Sequence, residues 1–131
     1  MQSVRAYTHP GFERNPRKGI PQEPFRNAEQ AWFWTMAALL ARHEGGGRPR
    51  GSGVPRPCEP DDVVRCLDGL YRRKRIDLAH ARVLRVWGER GVSPDRDRGA
   101  ERDEARLWRE AITLLEWPLR VRGIVVLVSA S

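Results

Sequence analysis

The sequence predicts an all-α fold in which about four helices pack around an apolar, Trp-rich first helix. Apolar residues recur at helical spacing in four segments, Gly- and Pro-rich stretches separate them, and 131 residues suit one domain. An extended N-terminal arm and a short extended C-terminal segment complete the predicted architecture. With 40% hydrophobic residues and five Trp, the chain has enough apolar surface for a modest core.

The predicted arm comprises residues 1–26, which hold four prolines and no periodic apolar pattern. This composition indicates an extended or disordered basic segment, with Tyr7, Phe12 and Phe25 available to lie over the core. No apolar stretch follows its charges, so we do not expect a secretory signal.

The first helix is predicted at residues 27–43 and is followed by three consecutive glycines. Asn27 suits the N-cap position, and Gln30 stands three residues later in the capping-box position. The run "WFW" at residues 32–34 points to three sides of a helix. A helix that is apolar almost all round must be surrounded, so we expect it to be central.

A flexible Gly/Pro/Arg loop, residues 45–58, separates this helix from a pair of helices predicted at 60–74 and 77–88. Pro60 is a favoured first-turn residue, and Asp77 suits the cap of the following helix. Because the connection "KRI" is short, we expect these two helices to pack as a hairpin.

A polar connection, residues 93–103, leads to a last helix predicted at 101–116. Pro118 should stop or bend this helix. We expect residues 118–131 to form an extended apolar tail, because "IVVLV" is rich in β-branched residues. A short strand is favoured there, and a helical turn ended by Gly123 is the alternative.

The formal net charge of +7 favours a polyanionic partner such as nucleic acid. Of the 24 cationic side chains, only Lys18 and Lys74 are lysines. An Arg-rich surface suits bidentate phosphate contacts, whereas GC-rich codons would raise the Arg count without any function. Composition leaves both explanations open.

The stretch "LYRRKRIDLAHARVLRVWGERG", residues 70–91, joins four cations to an apolar helix. A recognition helix needs a broad polar face that reaches base edges. Here only Arg82, Arg85 and Glu89 form a narrow polar stripe, and His80 falls on the apolar side. The pattern therefore favours a core helix over a recognition helix.

Two arginine clusters are the candidate nucleic-acid contacts. The first is Arg72, Arg73, Lys74 and Arg75, joined by Arg48, Arg50 and Arg56 from the glycine loop. The second is Arg102, Arg106 and Arg109, which share one helix face. The alternative interpretations are cations that complement a helix C-terminus and an ordinary solvated face.

The sequence gives little support for enzymatic activity or for metal binding. Cys58 and Cys66 lack the spacing of a zinc site, and His80 is interpreted as a hydrogen-bonded core residue rather than a base. "GGGRPRGSG" lacks the G-K-[ST] ending of a phosphate loop. We expect no enzymatic activity, and no cofactor, metal or small-molecule substrate.

The leading hypothesis is therefore a small, non-enzymatic, nucleic-acid-associated regulatory module. The alternative is a protein-interaction adaptor or homo-oligomer that uses the arm and the apolar tail, with partner contacts at Trp117, Val125, Val126 and Leu127. No apolar stretch reaches the length of a membrane span, so we expect no membrane association. With only two Cys, a bacterial-type cytoplasm is the expected compartment.

Overall fold

The computed structural model describes residues 21–45 and 54–127, and this part of the chain is all-α, which confirms the predicted class. The helices are α1 Ala28–His43, α2 Pro60–Arg72, α3 Leu78–Arg90 and α4 Arg102–Val121. A 3-10 turn, Gly99–Glu101, leads directly into α4. None of the described helices combines the length and the apolarity that crossing a bilayer requires. Most of the predicted arm lies outside the described residues.

Local caps start the helices where the sequence predicts. The Asn27 side chain accepts a hydrogen bond from the backbone N–H of Gln30 at 2.8 Å. Pro60 is the first residue of α2, and Asp77 Oδ1 accepts from the backbone N–H of His80 at 3.3 Å. These contacts satisfy N–H groups that a helix start leaves without partners, which is why the sequence alone locates them well.

The packing of α2 and α3 differs from the prediction. α1 lies against the other three helices, and α4 packs on both α2 and α3. Within the described chain, α2 and α3 pack mainly on α1 and α4 rather than on each other, so the predicted hairpin is wrong. The turn between them begins at Lys74, which adopts a left-handed conformation with φ of 63° and ends α2.

The core lies among the four helices. The indole N–H groups of two tryptophans each donate a hydrogen bond to another helix, as buried polar groups require. Trp32 Nε1 donates to the carbonyl of Leu84 at 2.9 Å, and Trp108 Nε1 donates to Glu29 Oε2 at 2.8 Å. The largest fully buried apolar side chains are Phe25, Val63, Leu84, Leu115, Leu119 and Val125.

Pro118 does not end the last helix, which corrects the predicted bound of 116. α4 continues through the proline to Val121, and an ion pair of 3.3 Å between Arg120 and Glu116 spans it. Pro118 removes one backbone donor, and its ring crowds the carbonyl four residues earlier. It lies in the last turn of α4, which continues for only three residues beyond it. Gly123, with φ of 76°, supplies the left-handed residue that terminates the helix.

The expected C-terminal strand is reduced to a single parallel bridge between Phe25 and Val125. The Phe25 N–H donates to the Ile124 carbonyl, and the Val126 N–H donates to the Phe25 carbonyl, both at 2.9 Å. The segments that flank the helical bundle on either side therefore pair with each other. The end of the predicted arm supplies the partner that the sequence pattern did not reveal.

Candidate nucleic-acid interface

The run Arg72–Arg75 lies at the turn between α2 and α3, where all four side chains are exposed. We name residues 71–79, which span this turn, the α2–α3 corner. Arg72 pairs with Asp68, with 3.0 Å between Nε and Oδ2. Arg73, Lys74 and Arg75 form no ion pair with any described residue. Three successive cations therefore face solvent without a salt-bridge partner in this part of the chain.

The backbone of the corner is a Schellman turn, in which two hydrogen bonds cap the last carbonyls of α2. The Arg75 N–H donates to the Leu70 carbonyl at 2.9 Å, and the Lys74 N–H donates to the Tyr71 carbonyl at 3.0 Å. Lys74 occupies the left-handed position, where glycine is the usual residue. A side chain there costs about 1–2 kcal/mol. Buried Ile76 then anchors the chain to the core.

The side chain of Arg73 lies back across α2. Its guanidinium nitrogens are 3.4 Å from the position that a Cβ would take on Gly69. Burial raises the pKa of the Cys66 thiol, while Arg122 and Arg73 act in the opposite direction.

An apolar cleft of about 630 Å³ opens at the same corner. Tyr71 and Leu78 remain 43% and 70% exposed, although both line the cleft. Arg72 and Lys74 also line it, and Asp77 is the acidic residue of the lining. The complete lining is Tyr71, Arg72, Lys74, Ile76, Asp77, Leu78 and Ala79. Exposed apolar surface and cations are thus combined at one place.

A polar chain that the sequence analysis missed ties the corner to α4. His80 Nδ1 lies 3.1 Å from Asp77 Oδ1, and His80 Nε2 lies 2.9 Å from Glu110 Oε1. Arg106 donates to the other oxygen of Glu110 at 3.2 Å. The spacing Asp77-x-x-His80 was the available signal, because it is a capping box with His in place of the usual Glu or Gln.

These contacts lower the pKa values of two carboxyl groups. The hydrogen bond from His80 holds the pKa of Glu110 below its ordinary value, with Arg106 acting in the same direction. The backbone N–H of His80 is the main group that lowers the pKa of Asp77, and Ala79 adds to it. Both carboxylates are therefore stabilised as anions at the junction of α3 and α4.

Two other sets of predicted basic contacts were the arginines of the glycine loop and those of α4, and Arg56 and Arg106 are held by other contacts. Arg56 is half-buried, donates to the Glu23 carbonyl at 3.0 Å, and lies 4.3 Å from the ring centre of Phe25. It therefore holds the segment before α1 on the core. Arg106 is committed to Glu110. Arg48 and Arg50 lie outside the described residues.

Arg102 and Arg109 are exposed on α4 and form no ion pair with a described residue, but their surroundings differ from the corner. Arg102 lies at the start of α4, a helix about 30 Å long. Arg109 lines a separate cleft of about 710 Å³ between α4 and the start of α1. Besides Arg96, this lining contains three carboxylates, namely Glu29, Asp95 and Asp97. Such a cleft disfavours phosphate.

The predicted partner contacts are divided between surface and core. Trp117 is 64% exposed, and Val121, one turn further along α4, is equally open. Val125 is buried and faces the chain's own core, and Val126 is half-buried. Leu127 is exposed. Of the four predicted contacts, Trp117 and Leu127 are therefore the ones open to a partner.

The two cysteines are free thiols. Burial is the main factor that raises the pKa of Cys58 to about 12, and the Asp62 carboxylate adds to this effect. Cys58 is therefore a protonated, weakly nucleophilic thiol at neutral pH. Among the described residues, no three His, Cys, Asp or Glu side chains are grouped so as to hold a metal ion.

No protein-family model matches this chain, and no curated protein or solved structure is significantly similar to it.

Proposed function

We propose that this protein is a non-enzymatic, nucleic-acid-associated regulatory module that contacts phosphates through Arg72, Arg73, Lys74 and Arg75 of the α2–α3 corner. One observation carries the proposal: the Schellman turn presents three successive exposed cations that no described carboxylate pairs with. Phosphate contacts of this kind add salt-sensitive affinity that does not depend on base sequence.

The helix dipole accounts for only part of this arrangement. Cations in the last turn of a helix complement its negative end, and Arg72 already occupies that position. The dipole gives no reason for a lysine in the left-handed position, where glycine would be less strained. A phosphate partner does, because a lysine at the apex of the turn adds a positive charge between two arginines. The free thiols of both cysteines accord with a reducing cytoplasm as the proposed compartment.

Titration of labelled DNA and RNA at about 50 and 200 mM salt tests the proposal. We expect binding that weakens steeply with salt. Reversing the charges of Arg73, Lys74 and Arg75 to Glu should weaken binding strongly and lower the salt slope by about 2 to 3, as the loss of three phosphate contacts requires.

The matched control reverses Arg96, Arg102 and Arg109, which are equally exposed and change the net charge by the same amount. This control should retain most of the affinity and slope. Absence of binding at low salt overturns the proposal. Equal losses in the two variants would also overturn it, because they would show an effect of net charge alone.

The second candidate function is a protein-interaction adaptor. It is favoured by Trp117 and Val121, two large apolar side chains exposed one turn apart on α4, with Leu127 exposed as well. Sedimentation across a range of concentrations tests self-association, with Trp117→Gln as the variant. A monomer at every concentration, together with unchanged behaviour of the variant, would exclude the homo-oligomer.

A further inference from the structure

We infer that the α2–α3 corner selects single-stranded over double-stranded nucleic acid by holding one unpaired base in the cleft between Tyr71 and Leu78. This inference rests on the proposed function, because the surrounding cations must first hold the strand. The cleft adds an apolar stacking contact to the ionic contacts of the cations. This second contact can form only with a base that is unpaired.

The cleft has the surface that a nucleobase requires. Tyr71 offers an aromatic ring on the α2 side and Leu78 an apolar side chain on the α3 side, while Ile76 and Ala79 also line it. The two walls keep 43% and 70% of their surface exposed in the free protein, so a base would cover apolar surface that now faces water. Stacking of a base on an aromatic side chain tolerates any base, because every base has a π-face.

The charged residues around the cleft favour different positions for the base and for the phosphates of the ligand. Asp77 is among the residues that line the cleft, and its negative charge would disfavour a phosphate placed inside. Arg72 and Lys74 line the same cleft, and Arg73 and Arg75 are exposed beside them. The neutral base therefore suits the interior, and the phosphates on either side of it suit the cations. A free phosphate or a phosphorylated side chain would have to face Asp77.

A base that is paired and stacked in a duplex cannot enter the same cleft. Paired bases cover each other's faces by stacking and present only their edges in the grooves. A side-chain pair can enclose a base only after that base leaves the stack, which costs a few kcal/mol in a duplex and little in a single strand. The cations of the corner would bind both forms, whereas Tyr71 and Leu78 would add affinity for single strands alone.

The test compares a labelled single strand with a duplex of the same length, at one salt concentration and then across a salt series. The variants are Tyr71→Ala, Tyr71→Phe and Leu78→Ala, and circular dichroism confirms that each remains folded. We expect Tyr71→Ala to weaken single-strand binding by about 5- to 150-fold, the range that the loss of one stacked base produces. Its salt slope and its duplex affinity should stay unchanged, because the cations are untouched. Tyr71→Phe should bind like the natural protein, and Leu78→Ala should show a smaller loss confined to single strands.

The results separate this inference from the proposed function. If charge reversal of residues 73–75 abolishes binding while Tyr71→Ala changes nothing, the phosphate contacts stand and the base-binding cleft is overturned. Equal losses for single strand and duplex in Tyr71→Ala overturn it as well. A polyglutamate competitor that displaces the single strand as well as unlabelled oligonucleotide would show that the corner binds acidic polypeptides, and this too overturns the inference.

Discussion

The indole of Trp32 lies so close to Gly88 that a Cβ on the glycine would be 2.7 Å from the indole nitrogen. The same Cβ would also be 2.7 Å from Cγ of Met36. The indole nitrogen donates to the carbonyl of Leu84, one turn earlier on α3. The crossing of α1 and α3 therefore depends on a missing side chain at residue 88 and on a hydrogen bond made directly beside it.

Replacing Gly88 with Ala should destabilise the fold. Alanine improves helix propensity by about 1 kcal/mol, but overpacking of a buried contact costs about 1–3 kcal/mol. Here both clashing groups are buried, so we expect a net loss measured as a lower midpoint of urea unfolding. Gly69→Ala is the matched control, because the nearest group there is the flexible guanidinium of Arg73 at 3.4 Å. It should be neutral or stabilising by up to about 1 kcal/mol. Equal effects at the two glycines would contradict the packing argument.

Replacing Lys74 with Gly should separate stability from binding. Glycine adopts the left-handed conformation of this residue without a steric cost, so we expect a gain of about 1 kcal/mol in the free energy of unfolding. The same change removes one proposed phosphate contact and should lower the salt slope of binding by nearly 1. Chemical denaturation and salt-dependent titration measure the two effects. Lys74→Gln is the control that keeps a side chain and removes the charge: it should lose affinity without gaining stability. A less stable Lys74→Gly protein would contradict the assignment of strain at this turn.

The sequence predicts the helix starts well and the contacts between helices poorly, for a physical reason. Asn27 and Asp77 act on backbone groups two or three residues away, so the local sequence contains both partners of each contact. The arrangement of α2 and α3 depends instead on their contacts with α1 and α4, which are distant in the sequence. The left-handed conformation of Lys74 in the turn between them is likewise not indicated by a lysine. The pairing of Phe25 with Val125 joins residues at opposite ends of the described chain, and no periodic pattern encodes it.

The same distinction applies to the candidate site. Exposure of Arg72–Arg75 follows from four consecutive cations at a helix end, and the structure places them at the surface as expected. Their role in binding nucleic acid stays a prediction. The cleft between Tyr71 and Leu78 was not predictable, because it forms only when α2 and α3 are placed relative to each other. Likewise, the sequence pattern places Arg106 on an open helix face. In the structure, the Glu110 carboxylate contacts both Arg106 and His80.

Acidification should weaken the junction between α3 and α4. The pKa values of Asp77 and Glu110 lie below their ordinary values of 3.8 and 4.5 in the native state. The unfolded chain therefore binds more protons than the native protein in this range, and these groups stabilise the fold above it. Their contribution should be lost as the pH falls from about 4.5 through the lowered native pKa values. Carboxyl chemical shifts of Glu110 measure this directly.

His80→Gln provides the comparison for this titration. Because His80 is the main group that lowers the pKa of Glu110, the Glu110 carboxyl should titrate closer to its ordinary value in the variant. Arg106→Gln should move the Glu110 titration in the same direction, because Arg106 also lowers this pKa through a hydrogen bond and its charge. An unchanged Glu110 titration in His80→Gln would show that the hydrogen bond at 2.9 Å does not form in solution.

The pairing of Phe25 with Val125 should make the C-terminal segment part of the cooperative fold rather than an appendage. Val125 is 1% exposed, and two backbone hydrogen bonds of 2.9 Å attach its neighbours to Phe25. Val125→Ala removes two buried methyl groups and should cost about 2 kcal/mol in unfolding free energy. Val121→Ala makes the same chemical change at a residue that is 63% exposed, and should stay within about 0.5 kcal/mol of the natural protein. Hydrogen exchange at the Phe25 and Val126 amides provides a second measurement, because both should exchange slowly in the natural protein and faster in Val125→Ala. Equal stability of the two valine variants would contradict this pairing. Exchange of both amides at the rate of an unfolded chain would contradict it as well, because it would show that the segment is detached from Phe25 in solution.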